Sequence, residues 1–247
     1  MKIEVCVDNI ESAITACQAG ADRLELCNAL ALGGLTPSYA FVKTVLHYVS
    51  KPVVVMIRPR AGDFLFNDKE LSIMLTDIEM FKQLGVAGFV IGALTEKGEL
   101  DIPCISSLIE QAKTKEITFH RAFDLLVNPE SSLETLVELG CHRILTSGQH
   151  IDAYQGREKI ASYVKQANNR ISIMAGAGVT AINAQAIVAE TGVRELHLSG
   201  KKYRRSLMDY QHCRAVMGDN SAQDYQIAIT EFQQIEKLKN YFKKSNT

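Results

Sequence analysis

The chain has 247 residues, of which 47% are hydrophobic and 22% are charged, and its formal net charge is -1. This composition is typical of a globular protein, and the near-zero charge argues against a nucleic-acid partner. No apolar run reaches the roughly 18 residues that a membrane span requires, and the start MKIEVCVD lacks the apolar segment of a signal peptide. We therefore expect a cytoplasmic protein with no membrane partner, whose six cysteines are free thiols.

Short runs rich in Val, Ile, Leu or Phe alternate with longer amphipathic runs along the whole chain. Each short run is bounded by glycine, proline or polar residues, which is typical of buried strands. The predicted strands are Ile3–Val7, Arg23–Leu26, Val53–Ile57, Gly88–Ile91, Ile117–His120, Arg143–Thr146, Ile171–Met174 and Glu195–Leu198.

The amphipathic runs carry helix start and stop signals. Every second helix is predicted to end at a glycine that precedes a short link and the next strand; these glycines are Gly20, Gly85, Gly140 and Gly192. The helix before Gly85 is expected to begin near Asn67, and the one before Gly192 near Thr180. Asn128 followed by Pro129 predicts the start of the helix that ends at Gly140.

Strands and helices that alternate about eight times over this length predict a single-domain TIM (β/α)₈ barrel spanning residues 1–247. A doubly wound open sheet is the rival, but no GxGxxG follows the first strand and eight units exceed its usual number of strands. Residues 200–223 are predicted to form a long loop before the C-terminal helix. That helix is predicted from an apolar stripe that comprises Ile227, Phe232, Ile235, Leu238 and Phe242.

The first two strands share an unusual pattern, because each carries a glutamate and a cysteine two residues apart. These pairs are Glu4 with Cys6 and Glu25 with Cys27. Alternate residues of a barrel strand face the interior, and the intervening residues of both strands are apolar, so we expect both pairs to point inward. Neighbouring strands lie about 4.8 Å apart, so the two pairs are expected side by side.

Further polar residues are expected near the C-terminal ends of the strands, where TIM-barrel active sites lie. Arg58, Arg60, His120 and Ser199 fall at such ends. The loop Ala175–Val179 carries Gly176 and Gly178, and Ser199-Gly200 leaves the eighth strand. Loops at these two places bind phosphate in many barrels, through backbone N–H groups and a helix N-terminus.

Motifs spread over most of the chain resemble those of the CutC family, whose members are known as copper homeostasis proteins. The matching segments are EVCVDNIESA, GADRLELC, LGGLTPS, VMIRPRAGDF, IGALTEKGELD, TFHRAFD, RILTSG and IMAGAGV, and the match weakens after Ser199. The resemblance implies a cytosolic TIM barrel that takes part in copper homeostasis. It also implies that Cys6 and Cys27 bind Cu(I), a soft ion that favours thiolate ligands.

Two functions therefore stay open, of which the resemblance favours the first, and we expect a homo-oligomer for either. The first is a Cu(I)-binding protein that uses the two cysteines without turnover. The second is an enzyme that acts on a small anionic or phosphorylated metabolite. Its catalytic residues would be Glu25, His120 and Arg58, and its ligand-binding residues Arg60, Gly176, Gly178 and Ser199. The competing structural interpretation is that the cysteines only fill space and that the charged residues form a buried ion-pair network.

Overall fold

The computed structural model describes residues 1–210 and 224–244 and contains a closed barrel of eight parallel strands. The strands follow chain order around the barrel, and the last one pairs with the first. They are β1 (Lys2–Val7), β2 (Arg23–Leu26), β3 (Val53–Met56), β4 (Gly88–Ile91), β5 (Glu116–Phe119), β6 (Arg143–Thr146), β7 (Ser172–Ala175) and β8 (Glu195–Leu198). The predicted TIM barrel is thus confirmed, and every predicted strand is present.

The described residues include eight α-helices, and two short 3₁₀ helices, Leu30–Leu32 and Arg121–Leu125, follow β2 and β5. The α-helices are α1 (Ile10–Gln18), α2 (Tyr39–Tyr48), α3 (Asp68–Gln83), α4 (Ile102–Ala112), α5 (Pro129–Glu138), α6 (Arg157–Ala167), α7 (Ala184–Thr191) and α8 (Phe232–Lys244). Within the described ranges, none of these helices combines the length and apolar character that a membrane span needs.

The helix signals place most boundaries well. Asn67 caps α3 by accepting hydrogen bonds from two backbone N–H groups, and Glu70 completes a capping box. The α7 helix begins later than expected, at Ala184 instead of near Thr180. The reason is local, because Asn183 Oδ1 accepts from the Thr180 N–H and Thr180 Oγ1 accepts from the Ile182 N–H. Such side-chain bonds compete with helical hydrogen bonds.

Alternation along the strands separates an outer apolar core from a polar interior. Ile3, Val5 and Val7 of β1 pack in the outer core between the strands and the helices. The residues between them, Glu4 and Cys6, face the inside, where they are buried. The expectation that the Glu–Cys pairs point inward therefore agrees with the structure.

The segment after β8 differs from the predicted long loop. Residues 201–205 form β9 (Lys201–Arg205), which pairs in antiparallel fashion with β10 (Gln226–Thr230). Ile227 accordingly lies in a strand and not on the α8 stripe. The two strands are far apart in sequence, so their pairing leaves no local signal. The remainder of the predicted loop at 211–223 lies outside the described residues.

Candidate active site

The two Glu–Cys pairs of β1 and β2 are staggered by one level of side chains. Cys6 lies opposite Glu25 in the strand register, and Glu4 lies opposite Arg23. The cysteine of one strand therefore neighbours the glutamate of the other, and Cys27 extends one level further toward the C-terminal end. This register divides the interior into a lower ionic layer and an upper mixed layer.

The lower layer is a network in which buried carboxylates and guanidinium groups pair. The Arg23 guanidinium donates to Glu4 and, at 2.6 Å, to Glu195 Oε2. Arg143 Nε donates to the same Glu195 oxygen at 2.7 Å, and His197 Nδ1 lies 2.8 Å from Glu4 Oε1. Burial alone would raise the pKa of Glu4, but His197 and Arg23 lower it to about 2. Glu4 is therefore ionised, and its charge is neutralised inside the network.

A cavity of about 640 Å³ opens above this layer, at the C-terminal end of the strands. Its polar lining comprises Cys6, Glu25, Arg58, His120, Arg121, Asp124, Thr180, His197, Ser199, Lys201 and Gln234. Its apolar lining comprises Leu30, Leu32, Met56, Phe64, Leu125, Leu145, Val179 and Leu198. A volume of this size suits a small metabolite.

Glu25 is the buried carboxylate between the ionic layer and the cavity. Its Oε2 accepts a hydrogen bond from the Cys27 thiol at 3.2 Å and lies 3.8 Å from His197 Nε2. Burial and the Glu4 charge raise the pKa of Glu25, although His197 acts in the opposite direction. Glu25 therefore holds a proton more readily than an exposed glutamate, which suits acid–base chemistry.

Glu25 also belongs to a group of three side chains whose ligand atoms could hold a metal ion. Ligand atoms of Cys6, Glu25 and His197 lie within 4.8 Å of one another. Cys27 stands next to this group but does not line the cavity, and burial together with Glu25 raises the pKa of its thiol well above the usual value. Burial alone would lower the pKa of His197, but Cys6, Glu25 and Glu4 raise it well above its usual value. A metal bound here would have to displace protons from these groups.

His120 follows β5 and is 3% exposed. Its Nδ1 accepts a hydrogen bond from the Ala122 N–H at 3.1 Å. The ring packs against Phe64, with 4.7 Å between ring centroids. Burial and the nearby Arg58 guanidinium lower the pKa of His120 to about 3. The imidazole is therefore neutral at physiological pH.

The structure brings Arg58 into the cavity but not Arg60. Arg58 is buried and lines the cavity. Arg60 Nε instead donates to Glu70 Oε1 at 2.5 Å, and its Nη1 lies 2.9 Å from Asp63 Oδ1. Because the Arg60 guanidinium is paired with these two carboxylates, it is not available to bind an anion in the cavity. The expected ligand role of Arg60 therefore has no geometric support.

The loops after β7 and β8 meet at the cavity wall. Gly178 and Ser199 line the cavity, whereas Gly176 does not. A Cβ on Gly176 would lie 2.5 Å from Leu145 Cδ1, so this glycine permits close packing behind the wall. Ala177 and Gly178 have φ values of 75° and 66°, which for Ala177 is a strained backbone. Among residues 1–210 and 224–244, no backbone carbonyl accepts from the N–H of Ala177 or Gly178.

Unpartnered polar atoms are concentrated in this cavity. In the described part of the chain, three buried side-chain polar atoms lack a hydrogen-bond partner: Glu25 Oε1, Arg58 Nε and His120 Nε2. All three residues line the cavity. An unsatisfied buried polar group costs about 1–3 kcal/mol, and native proteins contain few of them. Their concentration here makes this cavity the candidate ligand site of the described part of the chain.

The sequence matches one protein family over most of its length. The profile of the CutC family matches residues 1–202. This chain belongs to the CutC family. A CutC family protein of Pasteurella multocida (strain Pm70) is 54% identical over 239 residues, which cover 97% of this chain and 98% of the relative. One of Histophilus somni (strain 2336) is 52% identical over 242 residues, which cover 98% and 99%.

A solved structure from the CutC family shares the fold. The crystal structure of CutC from Streptococcus agalactiae, described there as a candidate copper homeostasis protein, superposes with a TM-score of 0.77. The two sequences are 39% identical, and the match covers 81% of this chain and 98% of that chain. The CutC profile ends at residue 202, close to Ser199, after which the resemblance was expected to weaken.

Sequence reasoning on this CutC family chain overlooked two residues that shape the site. His197 received no role from the sequence, although it lies two residues after Glu195 on β8, a spacing that puts both side chains on the same face of the strand. Gly92 directly follows β4, and a Cβ there would lie 2.3 Å from His120 Cε1. Nothing in a lone glycine predicts that a histidine ring from the next strand packs over it.

Proposed function

We propose that this chain is an enzyme that acts on a small anionic, phosphorylated metabolite in the cavity above the barrel. The observation that carries the proposal is the set of three unpartnered buried atoms, which belong to Glu25, Arg58 and His120. A structural ion-pair network would have paired them, as it pairs the groups in the lower layer. A ligand with both donor and acceptor atoms would satisfy all three.

The cavity offers a distinct place for each part of such a ligand. Glu25 is the candidate proton acceptor and donor, because its free oxygen is buried beside the cavity. The backbone N–H groups of Ala177 and Gly178, with Ser199 and Lys201 nearby, are the candidate phosphate site. This arrangement agrees with the common use of the last two strand-end loops of TIM barrels for phosphate.

Thermal shift measurements on chelator-treated protein test this proposal. Inorganic phosphate, methyl phosphate and a panel of phosphorylated three- to six-carbon metabolites are added one at a time. We expect several phosphate esters to raise the melting temperature, because a ligand that binds only the native state stabilises it. Ligands that bind are then followed by ¹H and ³¹P NMR for conversion to product.

Glu25→Gln is the decisive variant, because it keeps the size of the side chain and removes its acid–base function. We expect ligand affinity to change little and conversion to fall by about 10²-fold or more. The matched control is Glu70→Gln, which removes a carboxylate outside the cavity. A panel without any thermal shift, or full turnover in Glu25→Gln, would contradict the proposal.

Cu(I) binding is the second candidate function, favoured by the neighbouring Cys6, Glu25 and His197 ligand atoms. Thiolate and imidazole ligands suit Cu(I), and the copper homeostasis description of the Streptococcus agalactiae relative points the same way. Cys27 could complete the site, because its Sγ lies 3.2 Å from Glu25 Oε2. When bound, Cu(I) would supply a soft, redox-active centre at the base of the cavity.

An anaerobic competition titration against a Cu(I)-specific chelator tests this candidate. Cys6→Ser is expected to weaken Cu(I) binding more than Cys27→Ser, because Cys6 lines the cavity and Cys27 does not. Cys104→Ser is the matched control, since that buried thiol lies in α4. Unchanged Cu(I) affinity in the Cys6→Ser, Cys27→Ser double variant would rule the site out.

The thiols support a cytoplasmic location, which we also propose. Among the described residues Cys6, Cys17, Cys27, Cys104 and Cys141 are all free. Disulfides are rare in reducing compartments. Fractionation of cells that produce the protein, followed by immunodetection, checks the location.

A further inference from the structure

We infer that His120 acts as a neutral hydrogen-bond donor, together with Arg58 Nε, for a carbonyl or carboxylate oxygen of the ligand. This inference rests on the proposed function and narrows it. It differs from the sequence-based expectation, in which His120 was a candidate for proton transfer. The ligand class that follows is a phosphorylated carbonyl compound or a phosphorylated carboxylic acid.

The hydrogen bond at Nδ1 fixes the tautomer of His120. Because the Ala122 backbone N–H donates to Nδ1 at 3.1 Å, that nitrogen is an acceptor without a proton. A neutral imidazole carries its one proton on the other nitrogen. His120 Nε2 is therefore an N–H donor, and it is buried without an acceptor in the described residues.

The surroundings keep this imidazole uncharged. Arg58 Cζ lies 4.7 Å from the centroid of the Phe64 ring, and the same ring packs against His120. The Arg58 charge and the burial of the ring both disfavour the imidazolium form. A neutral imidazole in such a place can donate to a developing oxyanion without itself giving up the proton.

The position of the His120 ring depends on Gly92, the residue that directly follows the neighbouring strand β4. A Cβ on Gly92 would lie 2.3 Å from His120 Cε1 and 2.5 Å from Nδ1. Real side chains do not tolerate such distances, so the ring occupies space that only a glycine leaves open. Gly92 is thus a positioning residue for His120.

Nε is the one nitrogen of the Arg58 guanidinium that has no acceptor among the described residues. Its Nη1 donates to the Leu32 and Gly34 carbonyls at 3.0 and 3.2 Å, and its Nη2 donates to the Gly62 carbonyl at 2.7 Å. These bonds fix the guanidinium plane. Nε keeps its proton without an acceptor in the part of the chain that the structure describes.

The two unpartnered donors belong to residues that line the cavity, and we take them as the polar contacts of the ligand on this side. Both are N–H groups on nitrogens that cannot accept in these states, so an oxygen with free lone pairs satisfies them. The proposed phosphate site lies at Ala177 and Gly178, in the loop after β7. A ligand that reaches both places carries a phosphate and a separate carbonyl or carboxylate oxygen.

Isothermal titration calorimetry on the chelator-treated full chain tests the inference with four probes. Methyl phosphate carries the phosphate alone, and glycolate carries the carboxylate alone. 2-Phosphoglycolate combines phosphate with a carboxylate, and dihydroxyacetone phosphate combines it with a ketone. We expect at least one of the combined probes to bind about tenfold or more tightly than methyl phosphate.

Three variants then assign the gain to His120. His120→Asn keeps an acceptor for the Ala122 N–H but loses the Nε2 donor, and Gly92→Ala displaces the ring. In both variants the combined probe should bind no more than about twofold more tightly than methyl phosphate, and the affinity for methyl phosphate itself should be unchanged. His120→Gln places an amide N–H near the Nε2 position and should restore part of the gain.

The outcomes separate this inference from the proposed function. If methyl phosphate binds but neither combined probe binds more tightly, or if His120→Asn keeps the full gain, the inference fails and the proposed function stands. If none of the phosphate probes binds and the metabolite panel gives no thermal shift, both fail. Thermal unfolding of each variant checks that it folds, and Gly92→Ala takes the place of His120→Asn if His120→Asn does not fold.

Discussion

The lower and upper layers of the barrel interior contain similar residue types but differ in how completely their polar atoms are paired. In the lower layer Glu4, Arg23, Arg143 and Glu195 form a connected set of ion pairs. In the upper layer Glu25, Arg58 and His120 each keep one buried polar atom without a partner. Composition therefore does not distinguish a structural network from a candidate site; the pairing of individual atoms does.

Position explains why the two layers differ. The lower layer lies below the cavity that Glu25, Arg58 and His120 line, and its charges neutralise each other, as buried charges must to be tolerated in the interior. The upper layer lines the cavity at the C-terminal end of the strands. We therefore expect the lower layer to maintain stability and the upper layer to maintain function.

The largest expected effect is a loss of stability in the lower layer. Arg23→Met leaves Glu4 and Glu195 without one of their main partners in the barrel interior. Breaking a buried ion pair by removing one partner costs about 3–5 kcal/mol. Urea unfolding at pH 7 should show this decrease in the free energy of unfolding.

The matched control is Arg170→Met at the surface. Arg170 pairs with Glu134, and their side chains are 45% and 41% exposed. Exposed ion pairs are screened by solvent and contribute little to stability, so this variant should unfold almost like the wild type. Equal losses in both variants would contradict the structural role of the lower layer.

A second prediction concerns the acid sensitivity that His120 gives to the fold. Its pKa of about 3 in the native state lies below the usual 6.5, so between these values the unfolded chain binds the extra proton. Stability should therefore fall as the pH falls from 6.5 toward 3, by about 1 kcal/mol per pH unit from this residue.

His120→Asn isolates this contribution, because asparagine does not titrate. As the pH decreases from 7 to 4.5, the wild type should lose more of its free energy of unfolding than His120→Asn does. A difference that is constant over this range would mean that His120 titrates normally and is not held neutral by Arg58 and burial.

Glu25→Gln should change the free energy of unfolding less than a mutation in the lower layer does, and in the opposite direction. Glu25 Oε1 is buried and unpartnered, so its replacement by a neutral group relieves a desolvation cost. We expect a gain of about 1 kcal/mol in the free energy of unfolding. Glu4→Gln is the matched control and should lose stability, because Glu4 pairs with both Arg23 and His197.

Strand periodicity allowed most of the fold to be predicted, because burial on both faces of a parallel barrel leaves an unmistakable pattern. The inward direction of Glu4, Cys6 and Glu25 followed from the same alternation. The β9–β10 pair did not follow, because its two strands meet across a long intervening segment. Ile227 and Ile229 alternate as strand residues do, but the apolar stripe of α8 obscured that signal.

The candidate site was predictable at strand positions and less so in loops. Strand parity placed Glu25 inside, and the strand ends placed Arg58 and His120 near the cavity. Arg60 was less predictable, because it lies on a loop in which parity has no meaning. Its partners Asp63 and Glu70 are close in sequence, but their geometry emerges only once the loop is folded.

The last prediction, with the smallest expected effect, compares Arg58, which lines the cavity, with Arg60, which lies outside it. Arg60→Ala removes a side chain that is 38% exposed and bound to Asp63 and Glu70, outside the cavity. We expect the affinity for 2-phosphoglycolate to stay within about twofold of the wild type, since no ligand contact is lost. Arg58→Lys, which keeps the charge but loses the Nε donor, should weaken the same interaction clearly. Calorimetric titration of both variants gives the comparison. If Arg60→Ala weakened binding as much as Arg58→Lys, the loop that carries Arg60 would have to close over the ligand, and the upper layer would extend beyond the cavity described above.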